Sequence, residues 1–128
     1  MSAYTVKNLK DVTDQAEAHG FAPAMETRFA RDDLECEQTG LSYQRLAPGV
    51  EQPFGHHHET QEELYVVIGG SGRVKVGDDV VDLKPLDVVR VAPATTRAFA
   101  AGPDGLEYLA FGDCGIRDAH MVRGFWDA

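Results

Sequence analysis

Short apolar runs broken by turn residues are the pattern that limits this chain most. Glycine occurs 13 times and proline 6 times, spread between the runs and not gathered in one linker. Such punctuation favours an all-β domain over a helical one. Met25 to Ala30 reads as a short edge strand and Leu41 to Leu46 as a clearer one. Arg73 to Val76 and Val80 to Leu83 flank a Gly77-Asp78-Asp79 hairpin turn. Val88 to Val91, Arg97 to Ala100 and Leu106 to Phe111 follow, with a strong turn signal at Gly102-Pro103-Asp104-Gly105. Periodicity alone leaves a sandwich and a small barrel both open.

The chain of 128 residues is of single-domain length, and 43% hydrophobic content is enough for one core. Its expected parts are an N-terminal arm with edge strands over 1–40, a core over 41–111 and an irregular tail over 112–128. Asp11 to His19 is expected to form a short helix, with Thr13 as cap and Gly20 as stop. Phe125-Trp126 in the tail should be tied down, on the body or on a second subunit, because an exposed aromatic pair is a liability. A net charge of -9 makes nucleic acid and anionic membrane surfaces poor partners. No apolar stretch reads as a signal peptide or a membrane span. Cys36 and Cys114 lie far apart without metal or redox spacing, and read as reduced thiols of a cytoplasmic protein.

The chemistry concentrates in Gly55 to Val74, GHHHETQEELYVVIGGSGRV. His56 and His58 are two apart and share a face on an extended strand, while His57 points the other way. On a returning strand Glu63, Tyr65 and Val67 alternate with Leu64, Val66 and Ile68. A closed hairpin would bring Glu63 beside the two imidazoles. Two histidines and one carboxylate form a metal-ligand set that leaves coordination positions open. Both faces of ELYVVI are apolar, so its outer face should be covered, by edge strands or by another subunit.

This stretch resembles the first motif of the cupins. The motif has a glycine, a His-x-His pair, a Glu and a closing glycine. Here these are Gly49, His56 with His58, Glu63 and Gly70, with Gly49 one residue farther from His56 than the usual pattern. The resemblance covers about residues 41 to 111 and is of the small single-domain bacterial kind. It implies a double-stranded β-helix, a jelly-roll barrel with its site inside. It also implies a divalent iron, manganese, nickel or zinc ion on His56, His58 and Glu63, and a homodimer that packs sheet to sheet. Relatives include dioxygenases, isomerases, epimerases and decarboxylases, and nothing in the chain selects among them.

The second cupin motif is altered. Its first turn is Lys84-Pro85-Leu86-Asp87, its later pair is Pro93-Ala94, and Arg97 stands where the resemblance implies a fourth ligand histidine. A guanidinium does not ligate a metal. Arg97 can pair with Glu63 in a metal-free site, grip an anionic ligand beside a three-ligand metal, or face outward. A metal-dependent enzyme and a metal-free binding domain for a polar or anionic small molecule therefore both stand. Tyr65, Arg97, Tyr43 and Arg45 are the candidate ligand-binding residues.

Overall fold

The computed structural model describes residues 3–113 and 118–127. It contains β1 (Met25–Phe29), β2 (Thr39–Leu46), β3 (Phe54–His58), β4 (Glu63–Val76), β5 (Asp79–Leu83), β6 (Val88–Val91), β7 (Arg97–Asp113) and β8 (Ala119–Arg123). All pairings are antiparallel, and β7 is the organising strand because it pairs with β2, β3 and β4. Its first half runs beside β3 and the end of β4, and its second half beside β2 and the start of β4. One eight-stranded sheet thereby curls on itself into the expected all-β jelly-roll barrel.

Two glycine-bearing stretches are absorbed into strands. β4 does not stop at Gly69-Gly70, and β7 does not turn at Gly102–Gly105. Their shared register shifts between Val67 and Gly69 and again between Gly70 and Gly72. These shifts are bulges that bend both strands around the barrel corner. Gly70 has φ +71°, and a Cβ there would lie 2.0 Å from the Gly105 carbonyl oxygen. Glycine is what lets the two backbones approach so closely.

The ends of the chain also differ from expectation. The helix α1 is only Gln15–Ala18, and its cap is Asp14, whose side chain accepts from the Ala16 amide, not Thr13. The tail is not irregular, because β8 pairs with β3 from Phe54 opposite Arg123 to His58 opposite Ala119. Phe125 is buried, and Lys75 donates to its carbonyl at 2.6 Å. The aromatic end is therefore tied to the body. Cys114 falls outside the described residues, and Cys36 is half-buried. Among the described residues no helix is long and apolar enough to cross a membrane.

Alternation along the strands decides what faces inward. Val67, Val74, Phe99, Leu106 and Tyr108 are almost wholly buried. Burial of each large apolar side chain contributes roughly 1.5–3 kcal/mol. Tyr65, Phe99 and Tyr108 pack as an aromatic triangle, with Phe99 stacked on Tyr108 at 4.2 Å between centroids. Phe111 lies opposite Leu64 and Leu41 on the outer face and is half-buried.

Candidate metal centre and its cavity

The barrel brings His56, His58 and Glu63 together, though not by the expected hairpin. β3 and β4 do not pair with each other. Each pairs with β7, and the loop between them is short enough to return Glu63 to the histidines. His56 Nε2 is 3.1 Å and His58 Nε2 3.0 Å from the same oxygen, Glu63 Oε1. The three donor atoms lie within 4.8 Å of one another. Ligands at about 2.1 Å from a common ion and at right angles would be about 3.0 Å apart, so the spacing suits a first-row divalent metal. The donor set therefore fits such an ion.

Glu63 Oε1 also accepts from the Tyr65 hydroxyl at 2.5 Å. Burial alone would raise the Glu63 carboxyl. Hydrogen bonds from His56 and Tyr65 and the nearby imidazoles outweigh it and hold the group down to about 2. Burial, reinforced by the Glu63 charge, pushes the Tyr65 phenol well above its ordinary value. Tyr65 thus remains a proton donor beside an ionised carboxylate.

Arg97 lies opposite His56 in the β3–β7 pairing and has no exposed surface. Its outward orientation is thereby excluded. Nη1 donates to the Thr95 carbonyl at 3.0 Å and to those of Pro93 and His56 at 3.4 Å. Nη2 stands 3.6 Å from Glu63 Oε1, an ion pair longer than a hydrogen bond. Nε and Nη2 have no hydrogen-bond partner among the described residues. Arg97 backs Glu63 from behind and does not line either cavity described below, which corrects its placement as a ligand-gripping residue.

Tyr43 and Arg45 are corrected more fully. Ser42 lies opposite Ala110 and Gln44 opposite Tyr108, so Ser42 and Gln44 face inward. Tyr43 and Arg45 therefore point to the outer face of β2. There the Tyr43 hydroxyl donates to Glu107, and Arg45 Nε donates to Glu26 Oε1 at 2.9 Å. Lys10 and Arg28 complete a charge cluster around Glu26. Burial would raise the Glu26 carboxyl, but donors from Lys10, Arg45 and Arg28 hold it at about 2. The cluster belongs to the fold and not to the site.

Sequence reasoning missed Asp118. It precedes β8, and its Oδ1 is 2.8 Å from His58 Nδ1. Its Oδ2 accepts from the Thr60 amide at 2.6 Å, the Thr60 hydroxyl at 3.1 Å and the Gln61 amide at 3.2 Å. Burial would raise the Asp118 carboxyl, but these donors and His58 hold it well below the usual range. No local motif marks Asp118, because only the β3–β8 pairing brings it to His58. His57 stacks on His120 on the other side of β3.

Two cavities meet at this group. One, of about 620 Å³, is lined by His56, Glu63, Tyr65 and a largely apolar wall including Phe21, Met25, Phe29, Phe54 and Met121. Two of the glutamines lining it, Gln44 and Gln52, are already engaged. Gln44 donates to Ser42 at 3.0 Å and accepts from Thr27 at 2.9 Å. Gln52 donates to Tyr108 at 3.1 Å and accepts from the Phe99 amide at 2.8 Å. Among the described residues neither lysine nor arginine lines it. The other cavity, of about 560 Å³, has a polar mouth with Arg31, Asp32, Asp33 and Asp113. His58 and Glu63 line both.

A model of the cupin domain matches residues 42–111. The chain belongs to the cupin family. The solved structures it resembles agree in fold. A cupin protein from Bacteroides fragilis superposes with a TM-score of 0.71 at 21% identity, covering 98% of this cupin and 88% of that chain. The polyketide cyclase RemF from Streptomyces resistomycificus gives 0.76 at 18% identity, covering 94% and 85%. Oxalate decarboxylase from Bacillus subtilis gives 0.74 at 21% identity, covering 91% of this cupin and 32% of that chain. At such identities the likeness concerns the fold. No curated protein matches this cupin.

Proposed function

We propose that this cupin binds a small, uncharged and mainly apolar molecule in its barrel, against a divalent transition metal held by His56, His58 and Glu63. The observation that supports it best is the approach of both imidazole Nε2 atoms to one Glu63 oxygen where the apolar cavity begins. Iron, manganese, nickel or zinc there supplies Lewis acidity and open positions for a substrate oxygen or water. Tyr65 holds a proton on Glu63 Oε1 and fixes that carboxylate in place. Arg97 supplies a fixed positive charge behind it.

The apolar wall supports the ligand class. About 620 Å³ falls within the range of small-molecule sites, and Gln44 and Gln52, being engaged, present little free polarity. Among the described residues no lysine or arginine lines this chamber, since Arg97 lies behind Glu63 and Arg31 belongs to the polar mouth, so a dianion such as oxalate would have the metal alone as its counter-charge. A polar or anionic ligand is thereby disfavoured. In titrations followed by NMR, 2-naphthol is expected to shift the resonances of Tyr65 and Met121, and oxalate is expected to shift neither. Binding of oxalate without binding of naphthol would reject the ligand class.

A second copy of the chain is proposed to cover the outer face of β4. Leu64, Ile68 and Val88 are 42%, 44% and 59% exposed. Val66 lies between Val88 and Leu109 on the same face, making one apolar band across three strands. The Arg90–Glu62 ion pair at 3.3 Å stands at its edge. A self-complementary contact of this kind suits a two-fold dimer. Sedimentation should give a dimer mass for the parent and a monomer for Ile68→Lys. A monomeric parent would reject the assembly.

A further inference from the structure

We infer that Asp118, outside the span matched by the cupin model, is the positioning residue that prepares His58 to bind the metal. This rests on the metal reading of the centre, and it concerns which ring nitrogen of His58 carries a proton.

The reasoning is a count of donors and acceptors. An ionised carboxylate only accepts hydrogen bonds. Asp118 Oδ1 lies 2.8 Å from His58 Nδ1, so Nδ1 must carry a proton. In the neutral ring Nε2 then bears its lone pair. That lone pair points at Glu63 Oε1, 3.0 Å away. A proton on Nε2 or a metal ion lying against both atoms satisfies this contact, and with Nδ1 committed to Asp118 it is Nε2 that is left for the metal. Asp118 therefore selects the tautomer that a metal needs. It also returns the negative charge that Arg97 cancels at Glu63. With Glu63, Asp118 and Arg97 charged, the group carries net charge −1 before a divalent ion enters, and would carry zero without Asp118.

Asp118 is itself well held. Its other oxygen takes three donors from Thr60 and Gln61, so the carboxylate has little freedom to turn away. Its place in the chain is set by the pairing of β8 with β3. A carboxylate behind a metal-binding imidazole raises ligand basicity and fixes ring orientation, and its loss commonly weakens metal affinity roughly 10–100-fold.

The substitution Asp118→Asn separates this role from a merely structural one. Asparagine keeps the shape, and its carbonyl oxygen can still accept from Thr60 and Gln61. Its amide nitrogen then meets His58 Nδ1 as a donor. Nδ1 must become the acceptor, and the proton moves to Nε2, where it blocks ligation. A structural role makes Asn close to the parent and Ala worse. The positioning role makes Asn at least as damaging as Ala.

The test is cobalt affinity by chelator competition for the parent, Asp118→Asn and Asp118→Ala. It is paired with ring-nitrogen NMR of histidine-labelled, metal-free protein and with circular dichroism to confirm folding. Expected is a loss of roughly 10–100-fold in both variants, with Asn no better than Ala. His58 Nδ1 should be protonated in the parent and unprotonated in Asp118→Asn. An Asn variant that binds cobalt like the parent, with Nδ1 still protonated, overturns the inference. If the parent itself takes up no metal, the metal reading fails, and the two NMR spectra still decide whether Asp118 sets the His58 tautomer.

Discussion

Glu63→Ala is expected to abolish metal binding and to destabilise the fold by roughly 3–5 kcal/mol. Among the described residues Glu63 is the one carboxylate within ion-pair distance of Arg97, which has no exposed surface. Removing Glu63 leaves a buried guanidinium without a counter-charge. It also removes the oxygen on which His56 Nε2, His58 Nε2 and the Tyr65 hydroxyl converge. An unpaired buried charge costs far more than the pair contributed when intact. Urea denaturation of metal-free protein measures the loss. The double variant Glu63→Ala/Arg97→Met is expected to recover most of it, because it removes both charges and keeps the volume filled. A single variant within about 1 kcal/mol of the parent would mean that water, and not Glu63, compensates Arg97.

Arg97→His is expected to raise metal affinity by one to three orders of magnitude, on the scale of removing a charge about 4 Å away at an effective dielectric near 20. Arg97 lies directly opposite His56, so an imidazole there starts on the correct face of the barrel. The change removes a cation 3.6 Å from a ligand oxygen and adds a neutral donor. Arg97→Met separates the two effects, since it removes the charge without adding a donor. Comparable gains in both variants would assign the effect to charge, and a gain in His alone to coordination. Unchanged affinity in both would show that Arg97 does not act on the centre. The histidine variant also gives up the contacts of Nη1 with Thr95, Pro93 and His56, so its metal-free form is expected to be less stable.

Much of the site was legible because its members lie close in sequence. His56, His58 and Glu63 sit within eight residues, and strand alternation puts Tyr65 on the Glu63 face. The parity of β2 was misread because Tyr43 looked like an inward residue. Its neighbours Ser42 and Gln44 in fact face the cavity, while Tyr43 and Arg45 join the Glu26 cluster outside. The turn signals at Gly69-Gly70 and Gly102–Gly105 were real signals of backbone freedom. They serve bulges at a barrel corner, a use that local chemistry does not distinguish from a hairpin turn. Asp118 was invisible for a different reason. It is 60 residues from His58 in the chain, and only the long-range pairing of β8 with β3 joins them.

Metal content is the most direct measure of the centre. Untagged protein, purified without chelators, is analysed by elemental mass spectrometry beside the His56→Ala/Glu63→Ala variant. Expected is close to one transition-metal ion per chain in the parent and none in the variant. A parent that carries no metal, and takes up none from iron, manganese, nickel or zinc salts, would contradict a metal centre on His56, His58 and Glu63.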